Sequence, residues 1–185
     1  MGKVLDAIDD SIAEFIAAQQ LFFVATAPLG AEGHLNLSPK GLPTFAQLGP
    51  REVAYLDLTG SGAETIAHLR ENGRIVLMFC AFDGPPNIVR LHGRGRVVTP
   101  NHPEFPALAA RFTTREGVRS VIVVAVERVS TSCGYAVPRF RFESERNQLD
   151  RWAKKKGPEA LVTYRGTKNR QSIDGLPALG DEELG

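Results

Sequence analysis

Apolar and polar residues recur in two rhythms along this chain, and the change of rhythm marks its elements. From Leu5 to Gln19, the apolar Leu5, Ile8, Ile12, Phe15 and Ile16 fall at helical spacing, while Asp6, Asp9, Asp10 and Glu14 fill the other face. This predicts an amphipathic helix. Leu21–Thr26 is a short continuous apolar run and predicts a strand, followed across Pro28-Leu29-Gly30 by a second strand over His34–Ser38. Further strands are predicted at Glu52–Leu58, Arg74–Cys80 and the alternating stretch Asn87–Val98. Val118–Val129 is rich in β-branched residues and predicts a buried strand. Short helices are expected near Gly62–Glu71 and Pro103–Phe112, and a later one over Glu143–Lys156 around the single tryptophan, Trp152. From Gly166 the pattern is polar and irregular, which predicts a frayed tail over Gly180–Gly185.

Strands joined by short turns, with only two brief helices between them, argue against a doubly wound parallel sheet. The expectation is a mainly β (α+β) fold, with an antiparallel sheet closed into a barrel and helices packed outside. Closure also hides the edges that such apolar strands would expose. The 185 residues suit one domain. Residues 1–142 form the expected barrel with its N-terminal helix, and 143–185 a helical extension and tail on the same domain. Charge narrows the function: 22 basic residues against 21 acidic ones provide no general attraction to nucleic acid or an anionic membrane. The basic run Lys154-Lys155-Lys156 reads as a solvated helix end. Only Cys80 and Cys133 occur, with no signal-like start and no long apolar stretch, so a cytoplasmic protein with reduced thiols is expected.

Two segments carry candidate chemistry. In Leu58-Thr59-Gly60-Ser61-Gly62-Ala63-Glu64-Thr65 a strand passes through two glycines into a helix. The hydroxyls of Thr59, Ser61 and Thr65 and the free amides of a helix start suit a phosphate. The same residues also read as a plain capped turn, with Ser61 as N-cap and Glu64 closing a capping box. In His34-Leu35-Asn36-Leu37-Ser38-Pro39-Lys40-Gly41, alternation puts Asn36, Ser38 and Lys40 on one side and Leu35 and Leu37 on the other. An amide, a hydroxyl and an ammonium together suit the polar edge of a flavin, with Lys40 beside its anionic region. A solvated barrel exterior is the competing reading. His34, His68, His92 and His102 lack metal-ligand spacing, so no metal site is expected. The cysteines read as small buried hydrophobes. His92-Gly93-Arg94-Gly95-Arg96 lacks the aromatic interleaving of an RNA-binding tract and reads as barrel wall. No residue stands out as a catalytic acid, base or nucleophile.

From Phe22 to Val98 the chain resembles the pyridoxamine 5'-phosphate oxidase-like flavin-binding split barrels. The resemblance rests on Asn36–Gly41, the Leu58–Thr65 turn, Asn72-Gly73-Arg74 with the strand after it, and Asn87–Gly93. It implies a homodimer with flavin mononucleotide (FMN) in a groove between barrels. Asn36, Leu37, Ser38 and Lys40 would then lie along the ring, and Leu58, Thr59, Ser61, Gly62 and Thr65 around the phosphate. Asn87 would lie near the ring, and Arg90 is a candidate partner of the phosphate. Family oxidases carry Ser-Arg-Lys where this chain has Ala63-Glu64-Thr65, so the phosphate's cation must come from Arg74, Arg90 or, across the interface, Arg139 or Arg141. The Arg-x-His substrate clamp is missing, which sets the chain apart from true pyridoxamine phosphate oxidases. Ser132–Pro138 and Lys168–Pro177 read as fixed loops, either reaching a partner's flavin or packing on the barrel.

These readings imply an oxidoreductase passing a hydride or electrons between a reductant and a small organic substrate. A deazaflavin in the same groove and a flavin carrier without turnover are the alternatives. A nucleic-acid-binding barrel is a weaker option.

Overall fold

The computed structural model describes residues 2–113 and 115–185. Eight strands pair antiparallel throughout: β1 (Val4–Leu5), β2 (Phe22–Thr26), β3 (Asn36–Lys40), β4 (Phe45–Gly49), β5 (Glu52–Leu58), β6 (Arg74–Cys80), β7 (Ile88–Val98) and β8 (Val118–Ser132). Their order is β3-β2-β6-β7-β8-β5-β4, with β1 beside β8, so β3 and β4 are the two edges of a curled sheet. Side chains close the barrel where hydrogen bonds do not. Phe22 on β2 contacts Phe45 on β4 and Tyr55 on β5, each at a ring-centroid distance of 5.6 Å. This is the antiparallel barrel that the strand pattern predicts, split as the family resemblance implies.

Inward positions follow the period of two. Phe22, Val24 and Thr26 on β2 point into the barrel with Val53, Tyr55 and Asp57 on β5, and all six are buried. Each fully buried large apolar side chain contributes roughly 1.5–3 kcal/mol. Helix α1 (Asp10–Ala17) closes one end by burying Ile12 and Ile16, and helix α2 (Glu64–Asn72) closes the other with His68 and Leu69. Gly73 ends α2 at φ 72°, a conformation that costs glycine least. At Gly93, where β7 shifts register against β8, an added Cβ would strike the Ala125 carbonyl.

Several boundaries move for physical reasons. The first helix is shorter than Leu5–Gln19 because Val4–Leu5 pairs with β8 and Asp9 caps the helix through Ile12 N (2.8 Å). The second strand starts at Asn36 and runs through Pro39 to Lys40, which an edge strand tolerates. Strand β4 was not foreseen. Helix α3 (Phe105–Ala109) is brief, and α4 (Gln148–Lys168) starts later than Glu143 and turns sharply at Gly157, φ 73°, before Pro158. The tail is not frayed: Ala178, Leu179 and Leu184 are buried against Ala63, Ile66 and Ala67 in a small second core.

Candidate ligand site at the split of the barrel

The end of the barrel closed by α2 is polar. Asp57 is in phase with Val53 and Tyr55, so the alternation that builds the core also drives a carboxylate inside it. It is 1% exposed and held by Arg119 through Nε (2.7 Å) and Nη2 (3.1 Å), with Ser120 Oγ donating at 3.2 Å. Burial alone would raise the Asp57 carboxyl. The charges of Arg119 and Lys40 and these hydrogen bonds outweigh it and hold the group below its ordinary value. Tyr55 is pushed well above its ordinary value by burial and then by the Asp57 charge, so it stays a neutral phenol.

A second set of bonds joins β2, β3 and α2. Asn36 Nδ2 donates to Thr26 Oγ1 (3.1 Å) and Thr65 Oγ1 (3.0 Å), and Thr26 Oγ1 lies 2.9 Å from His68 Nδ1. Burial lowers the His68 value, which keeps the ring neutral. Six buried side-chain polar atoms have no hydrogen-bond partner among the described residues: Ser38 Oγ, Tyr55 Oη and His68 Nε2 on the barrel and α2, Asn169 Oδ1 at the 59–65 turn, and Arg115 Nε and Asp150 Oδ1 elsewhere. Such atoms cost free energy unless water or a ligand meets them.

The alternation proposed for Asn36, Ser38 and Lys40 is observed: all three are half-buried and oppose Thr26, Val24 and Phe22, inward-facing residues of β2. They are therefore not a solvated exterior. Lys40 Nζ is 3.9 Å from Asp57, across the split and beyond hydrogen-bond range. Arg119 already matches the Asp57 charge, so Lys40 is a surplus cation at this mouth. Pro39 has no N–H, which places the Phe23–Pro39 pair among the non-hydrogen-bonded ones. The Leu37 N–H and C=O and the Pro39 C=O then point to the open edge of β3, with the Leu37 side chain 67% exposed.

The other candidate residues are dispersed. Leu58 packs on the opposite face of β5 from Asp57, among Val98 and Val121. Thr59 is buried; its hydroxyl donates to Gly117 O (2.8 Å) and accepts from Arg165 Nε (2.9 Å). Ser61 and Gly62 are exposed, and Gly62 O accepts from Arg119 (2.8 Å). The expected capping box does not form: Ala63 stands at the N-cap with no side-chain bond. Asn87 O accepts from Ala81 N (2.9 Å) in the β6–β7 hairpin, and Arg90 on β7, separated from β3 by β2 and β6, bonds Ser132 Oγ (2.9 Å).

The turn at 59–65 does not fit a phosphate. Its threonine hydroxyls are spent on the protein, and Glu64 folds over Gly62 and accepts from Ile173 N (3.2 Å). Arg74 is tied to Asn72 and Pro28, Arg90 to Ser132 and Arg139 to Asp83, while Arg141 is exposed. The cations nearest the turn, Arg119 and Arg165, are bound by Asp57, Gly62 O, Thr59, Val118 O and Leu184 O. The open edge of β3, with Lys40 and the unpartnered Ser38 hydroxyl, does fit the hydrogen-bonding edge of a planar ring.

Asp57 and Arg119 were missed from sequence, although an acid in phase with inward apolar residues demands a cation and Arg119 stands near the start of the strand opposite. Arg165 and Asn169 carry no such local signal. Among the described residues no cluster of His, Cys, Asp or Glu is placed to hold a metal, and no helix is long and apolar enough to cross a membrane. Both cysteines are free, Cys80 buried and Cys133 exposed.

An eight-stranded split barrel whose polar end opens at the edge of β3 defines the class. The chain belongs to the pyridoxamine 5'-phosphate oxidase family, whose profile matches residues 8–133. The pyridoxamine 5'-phosphate oxidase family protein ustO of Aspergillus flavus is 39% identical over 193 residues, covering 94% of this chain and 76% of that protein. Among solved structures, a variant of HupZ from Group A Streptococcus matches with a TM-score of 0.53 at 22% identity, over 68% of this chain and 99% of that one. A candidate pyridoxamine 5'-phosphate oxidase from Lactobacillus delbrueckii matches with a TM-score of 0.52 at 16% identity, over 68% of this chain and 94% of that one. These two likenesses are of fold.

Proposed function

We propose that the protein is a flavin-binding oxidoreductase, with the isoalloxazine edge on the open side of β3. The observation that carries this reading is the unspent donor pair on one strand: the buried Ser38 hydroxyl and the surplus Lys40 cation. The Leu37 N–H and C=O at the same edge complement the acceptor and N–H groups of the ring. A bound flavin supplies hydride or electron transfer, and the chain's own residues bind and orient it. The protein is proposed to be a homodimer. The outer face of β3-β2-β6 supports this, with Leu37, Ala25 and Val76 in one row, Pro39, Phe23 and Met78 in the next, and Arg90 and His92 alongside on β7. Two free thiols suit a cytoplasmic setting.

The test is an absorption spectrum of the protein after incubation with riboflavin or FMN and desalting. Retained stoichiometric flavin, bleached by a reduced nicotinamide, is the expected result. Lys40→Met is expected to weaken binding about tenfold, the loss of one charge-assisted contact. A colourless protein, or a Lys40→Met variant that binds as tightly as wild type, would overturn the reading. A deazaflavin added in competition separates the related cofactor.

A further inference from the structure

The C-terminal segment lies on the turn where a split-barrel cofactor would set its phosphate. Asn169 is fully buried and donates through Nδ2 to Gly60 O (2.9 Å) and Ser61 O (3.4 Å). Arg165 Nε reaches Thr59 Oγ1 (2.9 Å), and Nη1 of the same side chain ties down Leu184 O (2.9 Å). Ile173 N is met by Glu64 (3.2 Å), and Asp174 accepts from His34 N (2.8 Å) beside its ring. Arg70 holds the carbonyl of Ala178 and the carboxylate of Glu183. Ala178, Leu179 and Leu184 bury their side chains against Ala63, Ile66 and Ala67 of the turn and α2. Displacing the segment would therefore expose a core and not merely break surface bonds. The charge is wrong for an anion as well: the carboxylate of Glu64 already stands at the start of α2, where the helix dipole favours a negative group.

We infer that residues 165–184 hold the place of a cofactor phosphate, so that the site selects its ligand by the ring and takes a redox ligand with no phosphate anchored at 59–65. The ligand class is an uncharged-tail isoalloxazine such as riboflavin, or a ligand whose phosphate stays in solvent. The ring rests on the flavin reading above; the exclusion of phosphate does not.

Two measurements on the full chain keep these apart. Fluorescence titration with riboflavin and with FMN is expected to return dissociation constants within about threefold of each other, because the phosphate meets no charge-assisted partner. FMN bound more than about tenfold tighter, with inorganic phosphate competing for it, would overturn the inference. If neither flavin binds, the flavin reading fails, and thermal melting in inorganic phosphate decides the exclusion. An unchanged melting temperature up to tens of millimolar phosphate supports it. A rise in wild type that is lost in Ser61→Ala overturns it.

Discussion

The two ends of this barrel are built from the same strands and solve different problems. At the end closed by α1, Phe22, Phe45 and Phe79 meet at centroid distances of 5.1–5.6 Å, and the contacts among them are apolar. At the end closed by α2, the same inward rows of β2, β5 and β8 finish in Thr26, Asp57 and Ser120, which must be satisfied by bonds. Packing tolerates many residues of similar volume, whereas a buried polar set is stable only when complete. The polar end is nearly complete: Ser38 Oγ on β3, Tyr55 Oη on β5 and His68 Nε2 on α2 are left without partners.

The largest effects are expected from breaking each end at its centre. Asp57→Asn leaves Arg119 buried without its counter-charge and should cost about 3–5 kcal/mol in a urea denaturation series. Phe22→Ala should cost about 3–5 kcal/mol through the cavity it leaves. Their pH responses should differ. The Asp57 carboxyl sits below its ordinary value when folded, so its contribution is present in full above about pH 4 and is lost as pH falls through the folded value. The gap between wild type and Asp57→Asn should therefore narrow in acid, while the gap to Phe22→Ala stays constant over that range.

Thr26→Val should have a smaller effect. It removes the hydroxyl that faces His68 Nδ1 and accepts from Asn36, at a cost of about 1–3 kcal/mol by the same denaturation measurement.

The two ends were also unequally legible in sequence. Apolar runs and β-branched content, with alternation on β7, located β2, β5, β6, β7 and β8 to within a few residues, because each buries side chains in a core that any apolar residue can join. Strand β4 escaped notice since Phe45-Ala46-Gln47-Leu48-Gly49 is half-buried throughout and shows no contrast between its faces. On β3, the Asn36-Ser38-Lys40 alternation placed three polar groups on one side, and only the structure shows that side turned inward. The turn at 59–65 was read from its own glycines and hydroxyls. Its partners, Arg165 and Asn169, lie more than a hundred residues away, at the edge of a polar, irregular stretch whose Lys168–Pro177 segment read only as a fixed loop. Local pattern reports burial and phase; it does not report which distant side chain will consume a hydroxyl.

The smallest expected effect on stability is the sharpest probe of the comparison. Ser38 Oγ is buried at the polar end with no hydrogen-bond partner, so the folded protein gains little from it and bears the cost of its desolvation. Ser38→Ala should accordingly change the unfolding free energy by less than about 0.5 kcal/mol, or stabilise slightly. A hydroxyl kept only for packing predicts nothing further. A hydroxyl that waits for a ring carbonyl predicts weaker flavin retention, by about threefold to tenfold in a fluorescence titration, in a protein that melts like wild type. Loss of binding with stability unchanged would assign Ser38 to the ligand. Unchanged binding would leave Lys40 and the open edge of β3 to hold the ring alone.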